Sequence, residues 1–498
     1  MKNKKEIPLW AQTGHAKPMT RREMLQAGVI PFSAYLVPPS IATLLSRTAL
    51  GADCADATAS AFPAFITLNL SGGAGLAAQP VIKTINGDRL SSYSLVGLGA
   101  GPDISFAITK EFGTAEFAGT ITGGQAGVSV SRWIAGVRGP NGNNNAPTDT
   151  TGLAAKALQK AAFVVQCVAS GDDSSMNKKD VTGLVLKMGL KGSKLPNLGR
   201  VDNGTGISQQ PSMVPPPSPF IVNSVDNLVS ALGYTAGLAG LNTKQKGSLA
   251  RLIASLSSGQ LNRISQVTGA EATRQMIECV GIKNADLVAS GGGGVNPFLT
   301  TDTTLPAGLS AMLTSIWGSN QSTNRDAIFG AMVYNGLMGN AATINLNLGG
   351  YDYHNNTRAT GDGQDFIAGQ TVGRILATAE HLQKPVFIYV CSDGAVTSAN
   401  SQTADSAWMS DRGIAGCDYL IAYDPKGRPI VSSNQIGGFN NGQAADGNHP
   451  TGNNVELAAQ GVFANYAAWS GQMDYVKTNR ILGDDNIRGQ TIKFAPRS

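Results

Sequence analysis

The stretch Thr343-Ile344-Asn345-Leu346-Asn347-Leu348-Gly349-Gly350-Tyr351-Asp352-Tyr353-His354-Asn355 decides the fold class. Its first six residues have the length and β-rich character of a buried strand, and the glycine pair ends that strand in a turn. A helical pattern over 366–383 follows. Next come a second apolar run, Pro385-Val386-Phe387-Ile388-Tyr389-Val390-Cys391, and a third, Tyr419-Leu420-Ile421-Ala422-Tyr423. Strands alternating with helices predict a mainly parallel sheet with helices on both faces.

The same alternation extends outward. Helices are predicted over 305–338 and 454–469. Toward the N-terminus, Ala64-Phe65-Ile66-Thr67-Leu68-Asn69-Leu70 and Ala161-Ala162-Phe163-Val164-Val165-Gln166-Cys167-Val168 read as further buried strands. Residues 76–150 are rich in Gly, Ser, Thr and Asn, with Pro140-Asn141-Gly142-Asn143-Asn144-Asn145 as an evident loop, and Pro215-Pro216-Pro217 reads as a stiff connector. From 224 to 290 Leu228, Leu232, Leu249, Leu252, Ile253, Leu256 and Ile264 fall mostly at helical spacings. This span is predicted to be a helical insertion, ended by the glycine joint 291–294. The expected organisation is one large α/β domain over 52–498 with that insertion.

Composition narrows the classes. Only 14% of residues are charged, and the 61 glycines are scattered, which excludes a coiled coil, a charged disordered tail and collagen. No apolar run long enough to span a bilayer is free of proline or charge, so no transmembrane segment is expected in the mature chain. Near the N-terminus Thr20-Arg21-Arg22-Glu23-Met24-Leu25 precedes a mild apolar stretch, and Ala49-Leu50-Gly51 offers small residues for cleavage. This is the pattern of a twin-arginine (Tat) export signal over 1–51. The segment holds seven basic residues against Glu6 and Glu23, a surplus of five that equals the net charge of +5 for the whole chain. The mature chain is then near neutral, and its basicity argues for no nucleic-acid partner. The expected location is the periplasm or the exterior, with the Tat translocase as export partner. The five cysteines form no C-x-x-C pair, which argues against a thiolate zinc site; their pairing cannot be read from spacing. Cys167 and Cys391 read as small buried residues in strands.

In open α/β sheets ligands sit beyond the carboxyl ends of the strands. Three such ends carry suggestive residues: Ser71-Gly72-Gly73 after the first strand, Asp352 and His354 after the 343–348 strand, and Ser392-Asp393-Gly394 after the 385–391 strand. If the strands are parallel, the three tips share one edge. Asp352, His354 and Asp393 would then offer oxygen and nitrogen donors to Zn²⁺, Mn²⁺ or a similar ion, which could polarise an ester or activate water. Ser71 is a candidate nucleophile, although it lacks a G-x-S-x-G elbow. His449, in the loop Asp446-Gly447-Asn448-His449-Pro450, is a further candidate, whereas His381 sits in a predicted helix and reads as structural.

Taken together, these features resemble a Tat-exported, sulfatase-like family of bacterial proteins within the alkaline-phosphatase-like superfamily. The likeness rests on the leader, the Ser71-Gly72-Gly73 turn, the Gly349-Gly350-Tyr351-Asp352-Tyr353-His354 turn, the Ser392-Asp393-Gly394 tip and Ser410-Asp411-Arg412-Gly413. It implies an alkaline-phosphatase-like fold and a metal-dependent hydrolase of phosphate or sulfate esters. Asp352, His354, Asp393 and Asp411 would bind a divalent metal (Zn²⁺, Mn²⁺, Mg²⁺ or Ca²⁺), and Arg412 and His449 would face the substrate anion. The chain departs from the pattern at three places: Gly75 stands where the family has Asp, Asp393 where it has Glu, and Arg412 where it has His. The alternative expectation is therefore a non-catalytic envelope or surface protein of the same fold, with a binding or structural role.

Overall fold

The computed structural model describes residues 62–88, 90, 92–95, 131–143, 148–169, 176–199, 214, 216, 219–232, 248, 295–300, 305–351, 358–396, 408, 414–482 and 489–497. The chain divides into two compact units, 55–235 with 290–498 and 1–54 with 236–289. All described residues except Ser248 belong to the first unit. The proposed leader, and the span read as an insertion beyond Leu232, lie outside the described residues apart from Ser248.

Eight strands form one sheet among the described residues: β1 (Ala64–Leu70), β2 (Ala161–Val168), β3 (Leu195–Gly199), β4 (Phe220–Ile221), β5 (Ala341–Leu348), β6 (Val386–Ser392), β7 (Gly416–Tyr423) and β8 (Gln435–Ile436). Their order is β4-β3-β5-β1-β6-β7-β2-β8. The pairings β4/β3, β3/β5, β5/β1, β1/β6 and β2/β8 are parallel, while β7 runs antiparallel to both β6 and β2. The sheet is thus mixed and mostly parallel, and the fold is α/β. The reversal of β7 brings its first residues to the edge where β6 and β2 end.

The central strands are buried on both faces, which is why they read as nearly unbroken apolar runs. Among the described residues the helices of seven or more residues are α1 (Arg132–Arg138), α2 (Leu153–Gln159), α3 (Val225–Leu232), α4 (Leu309–Trp317), α5 (Arg325–Leu337), α6 (Arg358–Leu382) and α7 (Val455–Trp469). On one face Ile66, Leu68, Leu346, Ile388 and Tyr419 pack with Trp133, Phe329 and Val372 of α1, α5 and α6. On the other, Phe65, Val164, Phe387 and Leu420 pack with Val185 of the short helix 182–187 and with Phe463 and Tyr466 of α7. α3, at the start of the span read as an insertion, buries Val225, Leu228 and Leu232 in the first of these cores.

The single helix expected over 305–338 is two helices. Gly318 ends α4 with φ 74°, a left-handed value that suits glycine. Asn324 then starts α5 by accepting hydrogen bonds from the amides of Asp326 and Ala327. α6 begins at 358, before the expected 366, and crosses α1 at very short range. A Cβ on Gly369 would lie 1.9 Å from the Trp133 carbonyl oxygen, and one on Gly136 would lie 2.1 Å from that of Phe366. Among the described residues no helix is long and apolar enough to cross a membrane.

Candidate functional site at the carboxyl edge of the sheet

The parallel register places Leu70 opposite Leu348 on one side and Ser392 on the other, so β1, β5 and β6 end together. Their tips are tied by hydrogen bonds. The Ser71 amide donates to the Leu348 carbonyl at 2.9 Å, and the Tyr351 amide to the Ser71 carbonyl at 3.1 Å. The Ser71 hydroxyl donates to Asn347 Oδ1 at 3.0 Å. On the other flank the Gly72 and Gly73 amides donate to Asp393 Oδ1 at 2.8 and 3.3 Å. Ser392 Oγ accepts from the Ala74 amide at 2.8 Å and donates to the Leu70 carbonyl at 2.7 Å. Gly72 and Gly73 adopt φ of 116° and 88°, values a side chain would strain; they turn two successive amides toward one carboxylate.

The Ser71 and Asp393 tips therefore share one edge, and the expected convergence of Asp352 and His354 with Asp393 falls on residues outside the described ones. Asp352, His354, Asp411 and Arg412 lie outside the described residues. His449 is on the same edge but at the end of β2, with β7 between it and β6, so two strand spacings of about 5 Å separate those strands. It caps the short helix 450–453. Its Nδ1 accepts from the Thr451 amide at 3.3 Å and lies 2.9 Å from Thr451 Oγ1, which in turn donates to the Cys167 carbonyl. Burial, reinforced by Lys493, lowers the pKa of this imidazole, so its neutral form is favoured.

Behind the rim lies a buried polar layer that the sequence reading did not find. Lys179 Nζ donates to the Ser392 carbonyl at 2.8 Å and to Asp418 Oδ1 at 3.0 Å. Both side chains are almost fully buried, at 4% and 0% exposure. The Tyr389 hydroxyl reaches the other carboxylate oxygen, Asp418 Oδ2, at 3.2 Å. Burial alone would push the Lys179 ammonium down, but the adjacent Asp418 carboxylate outweighs it and holds Lys179 above its ordinary value. Beside it Cys391 Sγ donates to Asn69 Oδ1 at 3.2 Å. Asn345 Nδ2 and Thr343 Oγ1 both donate to Asn197 Oδ1, at 2.9 and 3.1 Å. The layer thus runs from β3 through β5 and β1 to β7. The available signal was weak: alternating Asn345 and Asn347 in an otherwise apolar strand, and Asp418 one residue before a run read as strand.

Chemically, the described part of the rim is better equipped to hold itself together than to react. Ser71 donates its proton to a side-chain amide oxygen, and Asn347 cannot serve as a general base. One oxygen of Asp393 is committed to two backbone amides. Burial raises the pKa of Cys391 far above the ordinary thiol value, which keeps it a thiol and a poor nucleophile. Among the described residues no three His, Cys, Asp or Glu side chains gather where one metal ion could bind. No protein-family model, no curated protein and no solved structure matches the chain.

Proposed function

We propose that this chain is an exported protein of alkaline-phosphatase-like fold whose rim is a binding or structural scaffold at the cell envelope and not a hydrolytic centre. One observation carries the reading: Asp393 Oδ1 already accepts from the Gly72 and Gly73 amides, so these two donors are taken and not offered to an ester oxyanion. The Ser71 hydroxyl is likewise engaged with a group that cannot take its proton. Gly75 supplies no carboxylate at the family's first acidic position. The described donors do not fit a divalent centre: a hydroxyl, an amide and one half-committed carboxylate are fewer donors than such an ion demands. A partner of this scaffold would be an envelope component or a small anionic ester.

A second reading, a metal-dependent phosphate or sulfate ester hydrolase, is favoured by Asp393 Oδ2. That oxygen makes no hydrogen bond among the described residues, and it sits at the rim from which the chain continues to Asp352 and His354. Turnover of p-nitrophenyl phosphate and p-nitrophenyl sulfate, with Zn²⁺, Mn²⁺, Mg²⁺ or Ca²⁺ added in turn, separates the two. The scaffold reading expects no hydrolysis above buffer. Hydrolysis that disappears in Ser71→Ala or Asp393→Ala would establish the enzyme instead. Export is tested separately: replacing Arg21 and Arg22 with Lys should leave the precursor in the cytoplasm, and normal secretion of that variant would overturn the leader assignment.

A further inference from the structure

Cys167 on β2 and Cys417 on β7 are direct partners across an antiparallel pairing. Both are buried, in the same apolar core, so their side chains leave the sheet on the same face. Cys391, the third described cysteine, lies in the opposite core. The direction of the peptide groups settles which kind of pair this is. The Lys160 carbonyl accepts from the Asp424 amide, so even-numbered peptides at this end of β2 face β7. Odd-numbered peptides face away. The Val165 amide donates to the Asn434 carbonyl, the Phe163 carbonyl accepts from Asn434 Nδ2, and the Cys167 carbonyl accepts from Thr451 Oγ1. Cys167 and Cys417 are therefore a non-hydrogen-bonded pair. In that class the Cα atoms stand about 4.5 Å apart and the side chains approach most closely. A disulfide needs a Cα separation of about 4.4–6.8 Å, so the bond fits with little movement of the backbone.

We propose that Cys167 and Cys417 form a cross-strand disulfide site, closed by exchange with a disulfide-bearing oxidant. One cysteine thiolate attacks a sulfur of the oxidant, giving a mixed disulfide and releasing one oxidant thiol. The second cysteine sulfur then attacks the mixed disulfide, the Cys167 Sγ–Cys417 Sγ bond forms, and the second oxidant thiol leaves. Two electrons and two protons pass from the pair to the oxidant, which is reduced to two thiols. Both cysteines are free thiols in the structure. Burial raises both thiol pKa values, and the neighbouring Cys167 adds to the rise at Cys417. The closed fold consequently slows exchange at the pair, so in the folded chain the bond closes when local opening of β2 and β7 exposes a thiol to the oxidant.

The test uses the full chain, produced in an oxidising expression host, alkylated in denaturant without reductant, and digested with trypsin. Cleavage after Lys160, Lys178, Arg412 and Lys426 isolates the two cysteines in peptides 161–178 and 413–426. The proposal expects these peptides linked, with a mass about 2 Da below their sum because two hydrogens are lost. It also expects reductant to lower the Tm of the wild type and to leave that of Cys417→Ser unchanged. Recovery of both peptides in alkylated form, or linkage of either to a peptide holding Cys54 or Cys279, overturns it.

Discussion

The Asp393 carboxylate holds the turn after β1 through two charge-assisted bonds to Gly72 and Gly73. Asp393→Ala should therefore cost about 2–3 kcal/mol in chemical denaturation, the scale for losing hydrogen bonds to a charged group, and Asp393→Asn should recover part of it. A cost below about 0.5 kcal/mol, the range of ordinary surface substitutions, would mean that the turn is not anchored there. At the opposite edge of the sheet Glu380 accepts from Lys160 Nζ at 2.9 and 3.0 Å and from the Tyr423 hydroxyl at 2.5 Å. Burial would raise its pKa, but the bonds from Tyr423 and Lys160 together hold it below the ordinary carboxylate value. The folded pKa is depressed, so this contribution is fully present above the unfolded value of about 4.3 and is lost as pH falls through the folded one. Glu380→Gln should accordingly lose stability against wild type at neutral pH and close that gap in acid. A gap that stays constant from neutral pH into acid would contradict the assignment.

Among the elements, the crossing of α1 and α6 depends on absent side chains. Helix propensity alone favours Gly369→Ala by about 1 kcal/mol. The new methyl would meet the Trp133 carbonyl oxygen at 1.9 Å, so the helices must part. The variant should be destabilised by about 1–3 kcal/mol, read from the urea midpoint; a neutral or stabilised variant would show that the crossing has slack. The elements differ in how plainly they were written. β1, β2, β5 and β6 are legible because both of their faces are buried and little polarity interrupts them. β3 is not, because Leu195-Pro196-Asn197-Leu198-Gly199 is short and holds two residues that weaken strands. The break between α4 and α5 was legible: Gly318-Ser319-Asn320-Gln321-Ser322-Thr323-Asn324 is a polar, turn-rich run between two apolar segments, and a single helix over 305–338 passes over it.

For the whole molecule, the convergence of Ser71 with Asp393 followed from one rule, that parallel strands deliver their ends to one edge. The Lys179–Asp418 layer did not follow. Strand polarity cannot be read from an apolar run, and it is the reversal of β7 that brings Asp418 to that edge. Asn345 was visible in the sequence, but its partner Asn197 lies 148 residues earlier, beyond the reach of local pattern. The same antiparallel register that carries Asp418 also sets Cys417 against Cys167, so a pairing unreadable from spacing becomes specific once the sheet is known. We propose that the rim is bound to itself instead of to an ion. The most direct measurement is the divalent metal content of the folded, purified chain by elemental analysis after dialysis against metal-free buffer. Far less than one ion per chain is expected, unchanged by Asp393→Ala. One or more tightly held ions per chain, lost in Asp393→Ala while the protein stays folded, would contradict it.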